Sequence, residues 1–478
     1  MLHSKTAGRV LLAVCLGVLG AVAAQAFIAL LDTTTDLLLV GLGGYQPPTP
    51  RFEGNLPPAL RGTYGLLLVP VATTLGGLGC GLLLRWLLPD ARGHGTDAAV
   101  AAWHANAGDV QPRAPFVRAV AAALTIGSGG AGGREGTTTQ LAAGIAALVT
   151  RGLGLPAAER RLFVLAGVAA GLSAAFKSPL GAALFAVEVL YSSFDFEAAA
   201  LVYCVISATV AYALTGVLHG WTPLLHVPSG LVLHHPGELL WFLALAVLAA
   251  LTGIALTTVF HATSTVANRM ALPRWLKPAL GGLGVGLLGL AVPEVLGSGY
   301  GWMQRAIDGQ VGLDRAAIMV PAKIAALALT IGSGGLGGVF APCLYVGCML
   351  GVVVGGAAAA LGMAAPPTAA LVVVGLAAVF GAAGRVPLAS VLMTAEITGG
   401  YGLLVPAMLA VAVAYLLHAS IGRRLNLAAP LLFGSQVPTR ADSPTHATEA
   451  VDRTVQLLRT GQLTVEQRAE LSRALGPD

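Results

Sequence analysis

Residues 125–137 read T-I-G-S-G-G-A-G-G-R-E-G-T, a glycine-rich stretch with two charged residues near its end. It places a guanidinium and a carboxylate, Arg134 and Glu135, in a glycine-rich break inside a strongly apolar segment. An ionisable side chain at membrane depth is costly to desolvate unless water or a partner is present, so such a residue indicates function. We therefore expect the carboxylate of Glu135 to be the working group.

The same string returns 205 residues later, where residues 330–340 read T-I-G-S-G-G-L-G-G-V-F. Three further landmarks recur in the same order at offsets of 204 to 208 residues: the cations Arg118 and Lys323, the turns 93–95 and 297–299, and the segments 177–188 and 385–396. The chain is thus an internal duplication, with halves near residues 60–235 and 236–435. Duplicated hydrophobic halves that glycine interrupts at matching positions indicate a transporter-type fold with its site at the repeat interface.

The composition is that of a polytopic membrane protein. Hydrophobic residues make up 56% of the chain and charged residues 10%, with a mean hydropathy of +0.79, whereas a soluble domain has about 25% charged residues. Glycine accounts for 63 of 478 residues, and membrane helices tolerate glycine better than soluble helices do. The net charge of +5 comes without a long basic run, so we expect no nucleic-acid partner.

The first apolar run, residues 10–31, is long enough to span a bilayer. Lys5 and Arg9 precede it and would hold the N-terminus in the cytoplasm. A basic start followed by small residues at 21–26 also resembles a signal peptide, and this alternative stays open. Residues 32–60 are predicted to form a polar, proline-containing loop.

Several later apolar segments are too short to cross about 30 Å of hydrocarbon, so half-helices must meet inside the protein. Each glycine break is predicted to start such a helix, at residues 134–136 and 338–340. The first N–H groups of a helix lack internal partners and its dipole is positive there, so an anion can bind. Glu135 is itself an anion and could occupy the place of the permeating ion, which makes it a candidate gate.

Other charged residues are expected to support the structure. Glu188 and Glu396 occupy equivalent repeat positions, which favours a shared packing or helix-capping role over a proton relay. Arg134 is interpreted as a structural partner for buried carbonyls or a carboxylate.

Neither an enzyme nor a metal site emerges from the sequence. The five cysteines lie singly in apolar stretches, and the four histidines of the polar loop 218–238 lack helical spacing. Both glycine breaks satisfy G-x-G-x-x-G, but a dinucleotide site needs an acidic residue about 20 positions further on, and position 152 is Gly. No nucleophile–base pair is visible, so we expect no enzyme, no metal and no cofactor.

These segments together resemble the signatures of the CLC family of voltage-gated chloride channels and proton/chloride antiporters. The matching segments are G-R-E-G-T at 133–137, G-V-F-A-P at 338–342 and G-H-G at 93–95, and the resemblance covers about residues 10–437. It implies an all-α polytopic membrane protein with two inverted structural repeats and broken or half helices, assembled as a homodimer with one pore per subunit. It implies that Glu135 is the gate and that chloride is bound by His94, Arg134, Gly136, Val339, Phe340 and Phe433.

The sequence departs from the family pattern at four positions. His94 and Thr137 stand where the family commonly has serine and proline, and Phe433 replaces a pore-lining tyrosine and so supplies no hydroxyl. Val189 stands where many antiporters of the family carry the glutamate that accepts the proton from the inside. An aliphatic side chain cannot relay a proton, so Val189 resembles the channel members.

The sequence therefore predicts a CLC-type protein that conducts chloride passively, with Glu135 as its gate. A proton-coupled chloride or fluoride antiporter with another internal relay is the alternative. A secondary transporter for an organic anion is a third interpretation, which would need a larger cavity with a dedicated arginine. Voltage dependence would have to come from the ion or Glu135, because no arginine-rich sensor helix is visible.

The expected domain organisation follows from the duplication and the resemblance. It comprises an N-terminal helix and loop at 1–60, repeats at 61–235 and 236–437, and a short cytoplasmic tail at 438–478 without the family's paired cytoplasmic domains. The protein is expected in the plasma or inner membrane as a multi-pass protein in contact with the lipid bilayer, with both termini in the cytoplasm.

Overall fold

The structure is a computed structural model, and it describes residues 2–50, 53–61, 64–89, 111–190 and 198–425. These residues form fifteen α-helices and one short antiparallel pair of strands, β1 (Tyr45–Gln46) and β2 (Ala59–Leu60). Seven helical spans among them are long and apolar enough to cross a membrane, and five shorter apolar helices have 10 to 17 residues. The prediction of an all-α polytopic protein with broken and half helices is confirmed.

Seven helices belong to the N-terminal half of the described chain. They are α1 (Leu2–Thr35), α2 (Val69–Leu87), α3 (Ala114–Gly127), α4 (Glu135–Gly152), α5 (Ala157–Phe176), α6 (Pro179–Glu188) and α7 (Ala198–His219). A π-helical segment, Asp36–Leu42, extends α1, and a 3-10 turn, Gly65–Leu68, precedes α2.

Eight helices belong to the C-terminal half. They are α8 (Leu239–Arg269), α9 (Lys277–Ala291), α10 (Tyr300–Ile307), α11 (Leu313–Gly332), α12 (Phe340–Ala360), α13 (Thr368–Gly384), α14 (Pro387–Thr398) and α15 (Leu404–Arg424). Short 3-10 turns lie at Pro236–Glu238, Pro293–Val295 and Tyr401–Leu403. Helices α3 to α7 match α11 to α15 in order, with the two glycine breaks at equivalent places.

The predicted loop at 32–60 is wrong over residues 32–42, where α1 and its π-helical extension continue. The hydroxyl groups of Thr33 and Thr35 donate to backbone carbonyls one turn back, at 2.8 Å each. Their polar atoms are therefore satisfied inside the helix, and the threonine run does not end it. The irregular segment starts only after Leu42.

The two glycine breaks meet in the buried interior of the protein. Gly133 and Gly338 form an antiparallel bridge in which each N–H donates to the other's carbonyl at 2.7 Å. Because these residues hold equivalent places in the duplication, antiparallel pairing requires the two halves to run in opposite directions. The repeats are thus inverted, as the resemblance implies.

The approach of the two breaks depends on glycine at the neighbouring positions. A Cβ atom on Gly132 would lie 3.3 Å from the Cα of Gly337, and one on Gly337 would lie 3.2 Å from the Cα of Gly132. Side chains at Gly132 and Gly337 would push the two glycine-rich segments apart. The glycines of the repeated string therefore serve close backbone contact.

A pair of glutamates ties each repeat to the other. Glu188, at the end of α6, accepts hydrogen bonds from two N–H groups in the first turn of α14, at 3.0 and 2.8 Å. Glu396, at the equivalent place in α14, accepts two from the first turn of α6, at 3.1 and 2.8 Å. The capping role expected for both residues is confirmed, and the caps cross the repeat interface.

Candidate functional site

Glu135 is the first residue of α4 and is fully buried. The hydroxyl group of Tyr300 donates a hydrogen bond to its Oε1 atom. Its Oε2 atom has no hydrogen-bond partner within the described part of the chain, and the backbone N–H of Ala341, in the first turn of α12, faces the same carboxylate. The carboxylate of the first repeat thus lies next to donors of the second repeat.

Tyr300 is held in place by the turn before it. It is the first residue of α10 and follows Gly299, whose φ of +88° suits glycine. The buried ammonium group of Lys323 donates to the carbonyls of Val295 and Gly297, at 2.8 and 2.7 Å. Lys323, one of the repeated landmarks, therefore fixes the turn that aims the tyrosine.

Arg134 precedes Glu135, and its ion-pair partner is Glu53 rather than Glu135. Its guanidinium group forms an ion pair with Glu53 at 2.6 Å and lies over the ring of Tyr300, 5.0 Å from the ring centroid. The expected role of Arg134 as the partner of a carboxylate is confirmed. Its place among the residues that bind the anion stays a prediction.

The start of α12 supplies the second set of donors. Within the described residues, the backbone N–H groups of Val339 and Phe340 have no hydrogen-bond acceptor. The ring of Phe340 is buried and packs on Phe185 and Phe380, with ring centroids 5.0 Å away in each case. This packing holds the first turn of α12 in place.

Gly136 lies at the contact between the two breaks. A Cβ atom on Gly338 would lie 2.8 Å from the backbone nitrogen of Gly136. The structure therefore brings Glu135 and Gly136 together with the start of α12. Of the other predicted site residues, His94 and Phe433 lie outside the described residues, as does the tail at 438–478.

Val189 lies where α6 ends, directly after the capping residue Glu188. Its side chain is buried in the apolar core. No ionisable group stands at this position, as the sequence already states. Glu188 next to it is occupied by the N–H groups of α14.

Sequence reasoning missed Tyr300 and Glu53. Glu53 lies 81 positions before Arg134 and Tyr300 lies 165 positions after Glu135, so no local pattern connects either pair. One signal was available for the tyrosine, because it directly follows the repeated turn at 297–299. The sequence has no comparable mark at Glu53.

A cavity of about 1010 Å³ opens next to the second glycine break. Its described lining includes Ser333 and Gly334 of the break and four basic side chains, those of Arg85, Arg118, Arg274 and Lys277. No acidic side chain is among its described lining residues. A concave surface with one sign of charge raises the local concentration of oppositely charged ions, here anions.

The histidines of the loop 218–238 do not assemble a ligand set in the structure. Within the described residues, no three His, Cys, Asp or Glu side chains converge as metal ligands would. His226 is instead bonded through its backbone to the buried side chain of Gln304, which donates at 2.8 Å and accepts at 2.7 Å. This exchange holds the loop against α10.

Solved structures with this fold include two ion antiporters. A slow cyanobacterial Cl⁻/H⁺ antiporter superposes with a TM-score of 0.71 at 20% identity, over 88% of this chain and 96% of the other. A CLC-type fluoride/proton antiporter superposes with a TM-score of 0.72 at 23% identity, over 86% of this chain and 95% of the other. At these identities the likeness shows the fold.

Sequence comparison extends the likeness to bacterial relatives. The putative chloride channel protein ClcB-like of Ralstonia nicotianae is 33% identical over 366 residues, 74% of this chain and 83% of the relative. The voltage-gated ClC-type chloride channel ClcB of Salmonella typhimurium is 32% identical over 422 residues, 86% of this chain and 96% of the relative. The family model described as voltage gated chloride channel matches residues 76–419. With its inverted repeats and paired glycine breaks, the chain belongs to the CLC family of chloride channels and transporters.

Proposed function

We propose that this CLC protein conducts chloride passively across the membrane and that Glu135 is its gate. The observation that carries the proposal is the position of one buried carboxylate between the hydroxyl group of Tyr300 and the first turn of α12. These groups are hydrogen-bond donors, and they surround a negative charge. A place that holds a carboxylate in this way suits a chloride ion of the same charge.

Gating follows from competition for this place. While the carboxylate of Glu135 is ionised and bonded, it occupies the donors that the anion would use. An incoming chloride can displace it, or protonation can remove its charge and weaken its hold. The donors at α12 are backbone N–H groups rather than a bare cation, so an ion can leave quickly.

The passive mechanism is supported by the residues at the end of α6. The side chain of Val189 cannot accept or release a proton, and the adjacent carboxylate of Glu188 caps α14. A proton that reached Glu135 from one side would therefore find no ionisable partner at this position. Chloride would then cross the membrane without a fixed stoichiometric ratio to protons.

The alternative is a proton-coupled chloride or fluoride antiporter. It is favoured by one observation, which is that two solved structures with this fold are described as antiporters of Cl⁻ and F⁻ with H⁺. In such a protein Glu135 would exchange its proton through a relay other than residue 189. The basic cavity would serve as an anion entrance under either mechanism.

The assembly and location are proposed on the family likeness. We infer a homodimer with one pore per subunit, in the plasma or inner membrane, with both termini in the cytoplasm. The exposed apolar helix faces are compatible with lipid and with a second subunit. The molar mass of the detergent-solubilised protein, after subtraction of the bound detergent, distinguishes a dimer from a monomer.

Simultaneous recording of chloride and proton fluxes tests the proposal. Purified protein is placed in liposomes loaded with potassium chloride, valinomycin carries the compensating potassium, and protein-free liposomes serve as the control. We expect chloride release without proton movement. Proton uptake in a fixed ratio to chloride would instead establish the antiporter. Release of gluconate from liposomes loaded with potassium gluconate would favour the third interpretation.

A further inference from the structure

The hydroxyl group of Tyr300 is the only side-chain donor bonded to Glu135 among the described residues. Its ring is buried between two partners, the guanidinium group of Arg134 at 5.0 Å and the ring of Phe176 at 6.5 Å, measured between centroids for the rings. Phe176 also contacts Phe340, 6.3 Å away between ring centroids. The tyrosine and the start of α12 therefore pack on one common residue.

The same place is thus lined by a hydroxyl group and by helix N–H groups. When the carboxylate of Glu135 leaves, the hydroxyl loses its acceptor but keeps its position, because Lys323 and Phe176 hold the residue from behind. A buried donor without an acceptor is unfavourable by an amount comparable to a hydrogen bond. An anion that enters would satisfy it.

We propose that the hydroxyl group of Tyr300 is a donor shared between the gate and the permeating anion. It bonds the carboxylate of Glu135 when the pore is closed and the anion when the carboxylate has left. The inference rests on the proposed function and deepens it by naming a further anion ligand. Tyr300 thus both holds the gate shut and contributes to anion affinity.

Charged groups around the site set the context of the gate. Arg134 directly precedes α4, which begins at Glu135, and Glu53 reaches Arg134 from the segment between β1 and β2. Asp32 of α1 lies within electrostatic range of both Arg134 and Glu53. These three residues form one charged cluster, and its Arg134 guanidinium lies over the Tyr300 ring. Removing the tyrosine hydroxyl leaves all of them in place, so the substitution isolates the hydrogen bond.

Direct binding of chloride tests the shared donor. Isothermal titration with chloride is compared between Glu135→Ala and the double variant Glu135→Ala/Tyr300→Phe, in which no carboxylate competes. We expect the double variant to bind chloride about 10-fold more weakly, since a hydrogen bond to a charged group is lost. Equal affinities would overturn the inference.

The pH profile of chloride efflux tests the hold on the gate. Compared with the wild type, Tyr300→Phe is expected to open at higher pH, because the ionised carboxylate loses a donor that stabilises it in place. A shifted profile together with unchanged chloride affinity would reduce Tyr300 to a gate-positioning residue and so overturn the shared role. An unshifted profile would show that Tyr300 does not hold the gate, which would also overturn it.

Control variants separate these outcomes from misfolding. Tyr212→Phe removes a hydroxyl on α7, where Tyr212 packs on Trp221 with ring centroids 5.7 Å apart, and is expected to match the wild type in both measurements. Phenylalanine keeps the ring of residue 300, so the packing on Phe176 is retained. A wild-type protein without anion flux would overturn the proposed function and this inference with it, whereas normal flux with unchanged Tyr300 variants would overturn the inference alone.

Discussion

A buried carboxylate at an anion site belongs to the protein and competes with the anion for the same hydrogen-bond donors. Among the described residues, no basic side chain is bonded to Glu135, because Arg134 is paired with Glu53. Its hydrogen-bond partner in the described chain is a neutral donor, the hydroxyl group of Tyr300, and the backbone N–H of Ala341 faces it as well. Under the proposed mechanism, such a charge is held firmly enough to block the pore and loosely enough for chloride to displace it.

Replacing Glu135 with glutamine should leave transport open and almost independent of pH. The amide has a similar shape but no charge to protonate, so lowering the pH no longer removes a competitor. The measurement is chloride efflux from liposomes between about pH 4 and pH 8, a range that brackets the usual carboxyl titration. An efflux rate that keeps the wild-type pH dependence would remove Glu135 from the gate.

Placing glutamate at residue 189 should introduce proton coupling if only the internal acceptor is missing. Val189→Glu adds an ionisable group at the end of α6, and we expect proton uptake to accompany chloride efflux. Val189→Gln is the matched control, since the glutamine side chain is polar but does not ionise between about pH 4 and pH 8. Coupling in both variants, or in neither, would contradict the assignment of residue 189.

The helix ends show why the two repeats depend on each other. The first N–H groups of a helix need acceptors, and inside a membrane water does not supply them. Here α6 and α14 each receive a carboxylate from the other's last turn. Each short helix is therefore complete only when its counterpart is packed against it.

Removing one of these carboxylates should destabilise the protein without changing the charge at the gate. Glu188→Ala leaves two N–H groups of α14 unpaired, and we expect a loss of about 2 kcal/mol or more. The check is the apparent Tm in detergent. Glu159→Ala is the control, because its ion pair with Arg9 is partly exposed and such pairs contribute less than about 1 kcal/mol. Equal Tm values for the two variants would contradict the capping argument.

The elements were predictable where the sequence repeats itself. Matching two copies of one string located the breaks before α4 and α12, and the equivalence of Glu188 and Glu396 indicated their shared role. The extension of α1 to Leu42 was not predictable from polarity, because threonine side chains can satisfy themselves on helix carbonyls. The pairing of Glu53 with Arg134 depends on tertiary folding, which local patterns do not encode.

The molecule as a whole is joined through its centre at Gly133 and Gly338. Two hydrogen bonds of 2.7 Å connect the inverted halves directly at the candidate site. The distance between the halves therefore also sets the spacing of the donors around Glu135. If the proposed anion site is correct, this contact couples the packing of the two halves to the affinity for the anion.

A methyl group at this contact should disturb both properties. In Gly338→Ala the new Cβ would meet the nitrogen of Gly136 at 2.8 Å and the carbonyl oxygen of Gly133 at 3.0 Å, so the halves must separate. We expect a lower apparent Tm and chloride efflux reduced about 10-fold or more, the equivalent of about 1.4 kcal/mol. Gly237→Ala is the control, because a Cβ there has no atom within 4 Å. A Gly338→Ala protein with normal efflux would show that the spacing is not critical.

The crossed caps of α6 and α14 also constrain how the chain is made. Glu396 caps an N–H group that lies 215 residues earlier in the chain. At ribosomal rates of about 5–20 residues per second, the start of α6 waits roughly 10 to 40 s before its acceptor is synthesised. During that interval the first repeat must be sheltered by the insertion machinery or by water, since lipid offers no hydrogen bonds. The first half therefore cannot complete its folding at the start of α6 until nearly the whole membrane domain has been translated.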